Sequence, residues 1–217
     1  MKNLYDKKDI SYYSHTRNEL LKFLPKKIGV ALDVGCAGGN FGQMLKEVFD
    51  CEIWGVEPDE KSALIAKAKL DKVFNCVFGK EIRIPAEKTF DCIFFNDVLE
   101  HLAQPEEALQ LAKKFLASNG YIIASIPNLR FYPAIISLLR HKDFKYLDAG
   151  VMDKTHLRFF TKKSIIRLFK ENGYKIKAIE GINRHRFRYL EILNFILLGS
   201  ISDMHFPQYA IVAIKNE

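Results

Sequence analysis

The sequence predicts an α/β fold with a mostly parallel sheet and helices packed on both of its faces. Short β-rich runs alternate with amphipathic runs of helical length, which is the pattern of parallel strands joined by helical crossovers. A glycine-rich turn follows the first predicted strand directly. The chain has 217 residues, of which 48% are hydrophobic, so it can bury one substantial core. We therefore expect one domain over residues 1–217.

The predicted elements follow one another without an internal repeat or a low-complexity linker. Pro105 and the two glutamates after it suit the first turn of a helix, Asn119-Gly120 suits its end, and Thr161 begins a later helix. Strands are predicted at 27–35, 51–57, 72–78, 90–97, 120–127, 174–182 and 207–215. Helices are predicted at 41–49, 59–70, 105–117 and 161–173.

Charge is distributed unevenly along the chain. Met1 to Pro127 holds 17 Lys/Arg against 18 Asp/Glu, a net −1, and Asn128 to Glu217 holds 16 against 8, a net +8; together they give the total of +7. A solvated basic face and attraction to an anionic substrate or surface both explain this surplus.

The cysteines and the N-terminus indicate a cytoplasmic protein. The four cysteines form no Cys-x-x-Cys pair and each lies in or beside an apolar run, as reduced core residues do. The first residues contain no apolar signal core, and no run approaches the roughly 20 apolar residues that span a bilayer.

The turn after the first strand, Gly35 to Gly42, is typical of several ligand-binding classes. Such a turn can bring bare backbone amides against a ligand. A dinucleotide-binding Gly-x-Gly-x-x-Gly that started at Gly35 would need glycine at positions 37 and 40, where Ala37 and Asn40 stand, and no phosphate-binding Gly-Lys-Ser/Thr occurs there. Both nucleotide motifs are therefore excluded.

Two acidic residues accompany this turn. Asp33 precedes Gly35 by two positions, and Glu57 ends the second predicted strand. A carboxylate at the end of the second strand of such a sheet can accept hydrogen bonds from both hydroxyls of a ribose. We interpret Glu57 as a ribose-binding residue.

Four segments, in order, resemble the motifs of class I S-adenosylmethionine-dependent methyltransferases. They are "LDVGCAGG" (32–39), "WGVEPDE" (54–60), "FDCIFFNDVLEHL" (90–102) and "ASNGYIIASIPN" (117–128), and "PQYAIVAIK" (207–215) extends the likeness. The chain is similar to the small-molecule branch, which includes quinone-biosynthesis O-methyltransferases and methyltransferases of bacterial surface-polysaccharide pathways; "DAGVMDKTHLRFFT" (148–161) is similar to a stretch of the latter. The resemblance implies a Rossmann-like sheet of seven strands, of which the last is antiparallel.

The resemblance also implies S-adenosyl-L-methionine as the cofactor and a set of residues that bind it. The glycine turn would hold the methionyl part and Glu57 the ribose. Alanine at position 37, where the family has glycine, adds one methyl group, which is tolerable if the backbone there keeps a negative φ. Glu81 stands near the position of the family's adenine-binding acid. The implied cofactor-binding residues are Asp33, Gly35, Cys36, Ala37, Gly39, Glu57, Pro58, Glu81, Asn96, Asp97 and Val98.

Methyl transfer to a neutral hydroxyl needs a general base, and histidine is the usual choice. His101 follows the fourth predicted strand, and His156 lies between Asp153, which we expect to orient it, and Arg158, which we expect to hold an anionic acceptor. An amine acceptor needs no base. No metal-ligand spacing is visible, so we predict transfer without a metal.

Two segments outside the core have predicted accessory roles. Residues 128–160 are expected to cap the acceptor pocket, to which Tyr13 is also assigned. Residues 184–207 are predicted to be a helical insertion that joins a basic cluster to an apolar run. Its roles, in order of preference, are a homodimer interface, a cover for the pocket, or contact with an anionic membrane.

Three classes of function remain open from the sequence. The first is methyl transfer to a hydroxyl of a small molecule or a glycan precursor. The second is a methyltransferase of RNA or other nucleic acid, which the basic half favours; however, "NDVL" (96–99) occupies the place of the aromatic motif used by amino-methylating enzymes, and no RNA-binding appendage is evident. The third is a non-catalytic module that binds the cofactor or a partner.

Overall fold

A computed structural model describes residues 17–216, except for the side chain of Asn18. Its centre is a seven-stranded sheet with the strand order β3-β2-β1-β4-β5-β7-β6. The strands are β1 (Val30–Val34), β2 (Glu52–Val56), β3 (Lys72–Phe74), β4 (Phe90–Asn96), β5 (Leu116–Pro127), β6 (Tyr174–Ile182) and β7 (Gln208–Lys215). The α-helices are α1 (Asn40–Phe49), α2 (Glu60–Lys67), α3 (Pro105–Phe115), α4 (Tyr132–His141), α5 (Lys162–Glu171) and α6 (Arg188–Ile196).

The sheet is parallel except for one strand. β7 pairs antiparallel with both β5 and β6, so β6 runs in the same direction as β1 to β5. This confirms the predicted mixed sheet with an antiparallel last strand. Because all other strands share one direction, their carboxyl ends meet at one edge, which is where open α/β sheets bind ligands.

The core has two main parts, one on each face of the sheet. Ile93 and Phe95 of β4 belong to one cluster of buried side chains, and Cys92 and Phe94 belong to the other. This alternation is the period of two that a strand imposes on its side chains. A strand buried on both faces reads as a continuous apolar run, as β4 does from Cys92 to Phe95.

Three elements differ from the sequence prediction. β3 ends at Phe74 instead of residue 78, because Phe78 turns into the core. β5 begins at Leu116, which pairs with Phe90 across an irregularity in the ladder. α4 was not predicted; its signal was Pro133, since proline suits the first turn of a helix. No helix within residues 17–216 has the length and apolar character needed to cross a bilayer.

Candidate active site

The turn between β1 and α1 is shaped by glycine and fits closely against the end of β4. Gly35 and Gly39 have φ values of 71° and 77°, in the left-handed region that favours glycine. A Cβ atom on Gly35 would lie 2.6 Å from Cγ2 of Val98, just beyond β4. The structure therefore brings the predicted glycine turn and the predicted β4 segment into contact.

The backbone amides of this turn are used inside the protein. The N–H groups of Gly35 and Cys36 donate to the carbonyl oxygen of Val56 at 2.8 and 3.1 Å, and that of Ala37 donates to Oε2 of Glu57 at 2.9 Å. The expectation that the turn presents bare amides to a ligand is therefore wrong for these three residues. A turn whose donors are consumed, and which is lined by carboxylates, suits a cationic ligand group better than a phosphate.

Ala37 has a φ of 47°, so its backbone does not keep the negative φ at which alanine would be unstrained. The reason is the hydrogen bond to Glu57, which requires the Ala37 N–H to point toward the end of β2. Left-handed backbone costs a residue with a Cβ atom roughly 1–2 kcal/mol. The turn tolerates that cost where glycine would avoid it.

Cys36 can meet a ligand only through its backbone. Its side chain is buried, and a Cβ atom on Gly55 of β2 would lie 2.6 Å from the Cys36 sulfur. Burial is the main cause that raises the pKa of the Cys36 thiol, followed by the charges of Asp33 and Glu57. The thiol is therefore a packing group.

Glu57 is the buried acid at the end of β2. Its Oε2 accepts from Ala37 and its Oε1 accepts from the N–H of Asp59 at 2.9 Å. A carboxylate has about four lone-pair sites, so two remain for a ribose. Burial raises the pKa of Glu57, and the two backbone N–H groups oppose that shift.

Asp33, at the end of β1, is 2% exposed. Burial, and secondly the charge of Glu57, raise the pKa of its carboxyl to about 8. Near neutral pH this carboxyl therefore holds a proton for much of the time. A cation bound beside it would favour the ionised form instead.

Sequence reasoning missed Asn75, which follows β3. Its side-chain amide donates to the carbonyl oxygens of Glu57 and Pro58, at 2.9 and 3.2 Å, and so holds the loop that carries both predicted cofactor residues. The available signal was a polar residue at the carboxyl end of a strand. Glu81 lies in the irregular segment after β3, and its side chain is exposed.

Asn96 at the end of β4 and Asp97 just after it have different environments. Both polar atoms of the Asn96 amide are buried, and neither has a hydrogen-bond partner among the described residues. Buried polar groups are almost always paired, so this amide points to a ligand. Asp97, with a φ of 53°, accepts from Ser125 at 3.0 Å and from Gln208 at 2.8 Å.

Asp97 also forms an ion pair with Arg17, at the start of the described chain. Sequence analysis did not predict Arg17, because the two residues are 80 positions apart and nothing local marks the pairing. The contact attaches Arg17 to the carboxyl edge of the sheet. Tyr13, a predicted acceptor residue, lies outside the described residues.

The two predicted catalytic histidines lie together. The ring centroids of His101 and His156 are 4.9 Å apart, and the rings meet edge to face at 67°. Nδ1 of His101 lies 3.1 Å from the carbonyl oxygen of Thr155, and Nδ1 of His156 lies 3.0 Å from that of Val151. A carbonyl can only accept, so Nδ1 carries the proton in both rings, and Nε2 bears the lone pair when the imidazole is neutral.

Backbone hydrogen bonds hold the His156 segment against the end of β4. The N–H groups of Leu157 and Arg158 both donate to the carbonyl oxygen of Glu100, at 2.8 and 3.0 Å. Nε of Arg158 donates to the carbonyl oxygen of Ala103 at 3.0 Å. The exposed Arg158 side chain thus anchors this loop, and its predicted contact with an anionic acceptor stays a prediction.

The Asp153 carboxylate stabilises the turn before His156. It is 1% exposed, and its Oδ1 accepts from the N–H of Thr155 at 2.8 Å and from the Thr155 hydroxyl at 2.6 Å. The carbonyl oxygen of the same Thr155 faces His101. Asp153 therefore supports the backbone that orients the histidine pair; the predicted direct orientation of His156 stays a prediction.

Glu100 completes the cluster, although sequence analysis did not select it. Glu100, His101 and His156 each offer one potential metal-ligand atom, and these atoms all lie within 4.8 Å of one another. A 2-His-1-carboxylate set can hold a divalent cation. Sequence spacing did not reveal this group, because the fold joins residues more than 50 positions apart; transfer without a metal stays a prediction.

Comparisons with known proteins identify the family of this chain. The sequence family described as "Methyltransferase domain" matches residues 5–179. An uncharacterized methyltransferase of Bacillus thuringiensis (strain Al Hakam) is 23% identical over 176 residues, which are 77% of this chain and 81% of that protein. One of Alkaliphilus oremlandii is 34% identical over 100 residues, 45% of each chain.

A solved structure shares the fold. The S-adenosylmethionine-dependent methyltransferase of Archaeoglobus fulgidus is 20% identical, with a TM-score of 0.66, over 91% of each chain. The fold, the glycine turn and the acid after β2 are those expected of a class I S-adenosylmethionine-dependent methyltransferase. The chain belongs to the methyltransferase-domain family.

Proposed function

We propose that this methyltransferase acts on a hydroxyl group of a small molecule or a glycan precursor, and that the histidine pair accepts the hydroxyl proton. The observation that carries the proposal is the cluster of His101, His156 and Glu100 at the carboxyl end of β4, the edge that also bears the cofactor turn. A neutral amine can attack through its lone pair without a general base, whereas a neutral hydroxyl needs a base to take its proton.

The cofactor residues follow from the contacts above. Glu57 would accept from the ribose hydroxyls, and the buried amide of Asn96 would pair with a polar group of the cofactor. Asp33 would compensate positive charge, because its raised pKa falls when a cation lies beside it. Bound S-adenosylmethionine supplies an electrophilic methyl group on a sulfonium.

The residues of this chain would then position the acceptor and remove its proton. The methyl group that the cofactor would supply would pass to the acceptor oxygen, and the carbon–sulfur bond pair would stay on sulfur. Nε2 of one histidine takes the hydroxyl proton, while Nδ1–H remains directed at its backbone carbonyl. Positioning in line can supply roughly 7–11 kcal/mol, and the base about 10²–10⁴-fold in rate.

The test is turnover of His156→Ala with phenols, sugar hydroxyls and amines as acceptors. We expect loss of about 10²–10⁴-fold in turnover on hydroxyl acceptors, with nearly unchanged cofactor affinity. Raising the pH should partly restore the turnover of a phenol, which ionises by itself. It should not restore the turnover of an alcohol. The matched control is His205→Gln, since Nδ1 of the buried His205 also faces a carbonyl, that of His185, at 3.0 Å.

Two results would contradict the proposal. One is preferred turnover of amines that His156→Ala leaves unchanged. The other is loss of turnover with a chelator and its recovery with a divalent cation, which would make the Glu100 cluster a metal site instead of a proton acceptor.

A further inference from the structure

Exposed apolar side chains are concentrated at one edge of the protein. α4 has no buried residue, and α6 buries only Leu190. Among the side chains that point to solvent, Leu139 is 73% exposed, Tyr189 75%, Phe195 83% and Leu198 95%. Amphipathic helices normally bury their apolar face, so these two helices present a surface that fits a partner. We call the exposed parts of 132–147 and 184–198 the apolar rim.

The two helices of the apolar rim, α4 and α6, begin at the same edge of the sheet. α4 follows the carboxyl end of β5, and α6 follows that of β6, so both begin at the ligand-binding edge. The rings of Tyr132 and Phe187, at their starts, stack with centroids 5.0 Å apart and 11° between the planes. The apolar rim therefore lies on the edge of the sheet that carries the active site.

Ring contacts link the apolar rim to the active site. The ring of Phe159 lies 6.2 Å from that of His156, and 5.5 and 6.1 Å from those of Phe144 and Tyr146. Phe144 and Tyr146 are exposed. A surface that the apolar rim contacts would therefore adjoin the entrance to the histidine pair.

The charges of the apolar rim are mainly positive. Its segments contain six lysines and arginines against Asp143 and Glu191. The basic side chains are all exposed and are Arg140, Lys142, Lys145, Arg184, Arg186 and Arg188. Basic groups beside exposed phenylalanine and leucine are typical of helices that lie in the interface of an anionic bilayer.

We propose that the apolar rim docks this protein on an anionic lipid bilayer, with α4 and α6 lying in the headgroup region. A second copy of the chain fits less well, because it would bring two positive surfaces together. A nucleic acid would leave Phe195 and Leu198 without an apolar partner. The proposal is independent of which acceptor is methylated.

The experiment is flotation of the full chain with vesicles of phosphatidylglycerol and phosphatidylcholine in equal parts, compared with phosphatidylcholine alone. We expect retention on the anionic vesicles only. Replacing Arg184, Arg186 and Arg188 together with glutamine should weaken partitioning by about a hundredfold. Phe195→Ser with Leu198→Ser should weaken it by at least about tenfold.

A control variant also replaces two exposed apolar side chains with serine, at positions away from the apolar rim. Val48→Ser with Leu64→Ser removes two side chains that are 56% and 69% exposed on α1 and α2, and should leave partitioning unchanged. Circular dichroism and light scattering establish that each variant is folded and report its mass. Failure of the full chain to bind anionic vesicles overturns the proposal, as does equal loss in the control variant.

Two further outcomes also overturn it. The first is a dimer that Phe195→Ser with Leu198→Ser dissociates, in a chain that does not bind vesicles. The second is retention on RNA without retention on vesicles.

Discussion

At the scale of single residues, the site depends on buried carboxyl groups whose partners are backbone N–H groups. Glu57 receives two such hydrogen bonds and remains buried, so its position is determined before any ligand arrives. A preorganised acceptor loses little conformational freedom on binding. The same hydrogen bonds explain why Ala37 adopts a left-handed backbone.

We predict that Glu57→Gln weakens S-adenosylmethionine binding by about ten- to a hundredfold, because charge-assisted hydrogen bonds contribute roughly 1.5–3 kcal/mol and the amide can no longer accept at both atoms. Isothermal titration calorimetry measures this. Glu60→Gln is the control, since Glu60 is exposed at the start of α2. Equal S-adenosylmethionine affinity in both variants would show that Glu57 does not bind the ribose.

At the scale of elements, the turn between β1 and α1 contains glycines that suit its close contacts and an alanine whose backbone it strains. Its glycines allow close contact with Val98, while Ala37 stands at a position that glycine would occupy with less strain. The strain belongs to the turn and not to α1, which begins at Asn40. A substitution at this position therefore tests the turn itself.

Ala37→Gly should stabilise the protein by about 0.5–1 kcal/mol, because relief of the left-handed strain exceeds the added entropy of the unfolded chain. Denaturant unfolding monitored by circular dichroism gives this free energy. Ala112→Gly, in the interior of α3, should instead destabilise it by at least about 1 kcal/mol. A loss of stability in Ala37→Gly would show that the turn does not store strain.

At the scale of the whole molecule, the protonation of Asp33 links the free energy of unfolding to ligand binding. In the folded protein Asp33 has a pKa of about 8, against an ordinary value of 3.8. Between these values the folded state binds a proton that the unfolded chain has released. The free energy of unfolding therefore falls as the pH rises from about 4 to about 8.

We predict this fall in the free energy of unfolding for the ligand-free protein. The change with pH should be much smaller in Asp33→Asn, in which the carboxyl is replaced by a neutral group of the same size. Cofactor binding near pH 7 should release a proton, because the cationic ligand favours ionised Asp33. Calorimetry in buffers with different ionisation enthalpies detects that proton. Stability that rises over this pH range would contradict the buried, protonated carboxyl.

The sequence by itself determined the strands, the glycine turn, the acid after β2 and the family, since each depends on local spacing: a period of two, a tight turn, an acid at a strand end. Sequence also identified both histidines, because they follow predicted strands or adjoin other polar residues. Sequence analysis did not select Asn75 or Glu100, although each follows a predicted strand, and nothing local signalled Arg17 as a member of the site.

Only the tertiary structure decided how these residues act together. Glu100 and His156 lie far apart in the chain, and parallel strand ends bring them to one edge. The amides of Gly35, Cys36 and Ala37 donate to Val56 in β2 and to Glu57 just after it. The sequence pattern of the turn did not reveal these acceptors. Local spacing predicts which residues reach the edge; long-range hydrogen bonds and burial determine what each one can still bind there.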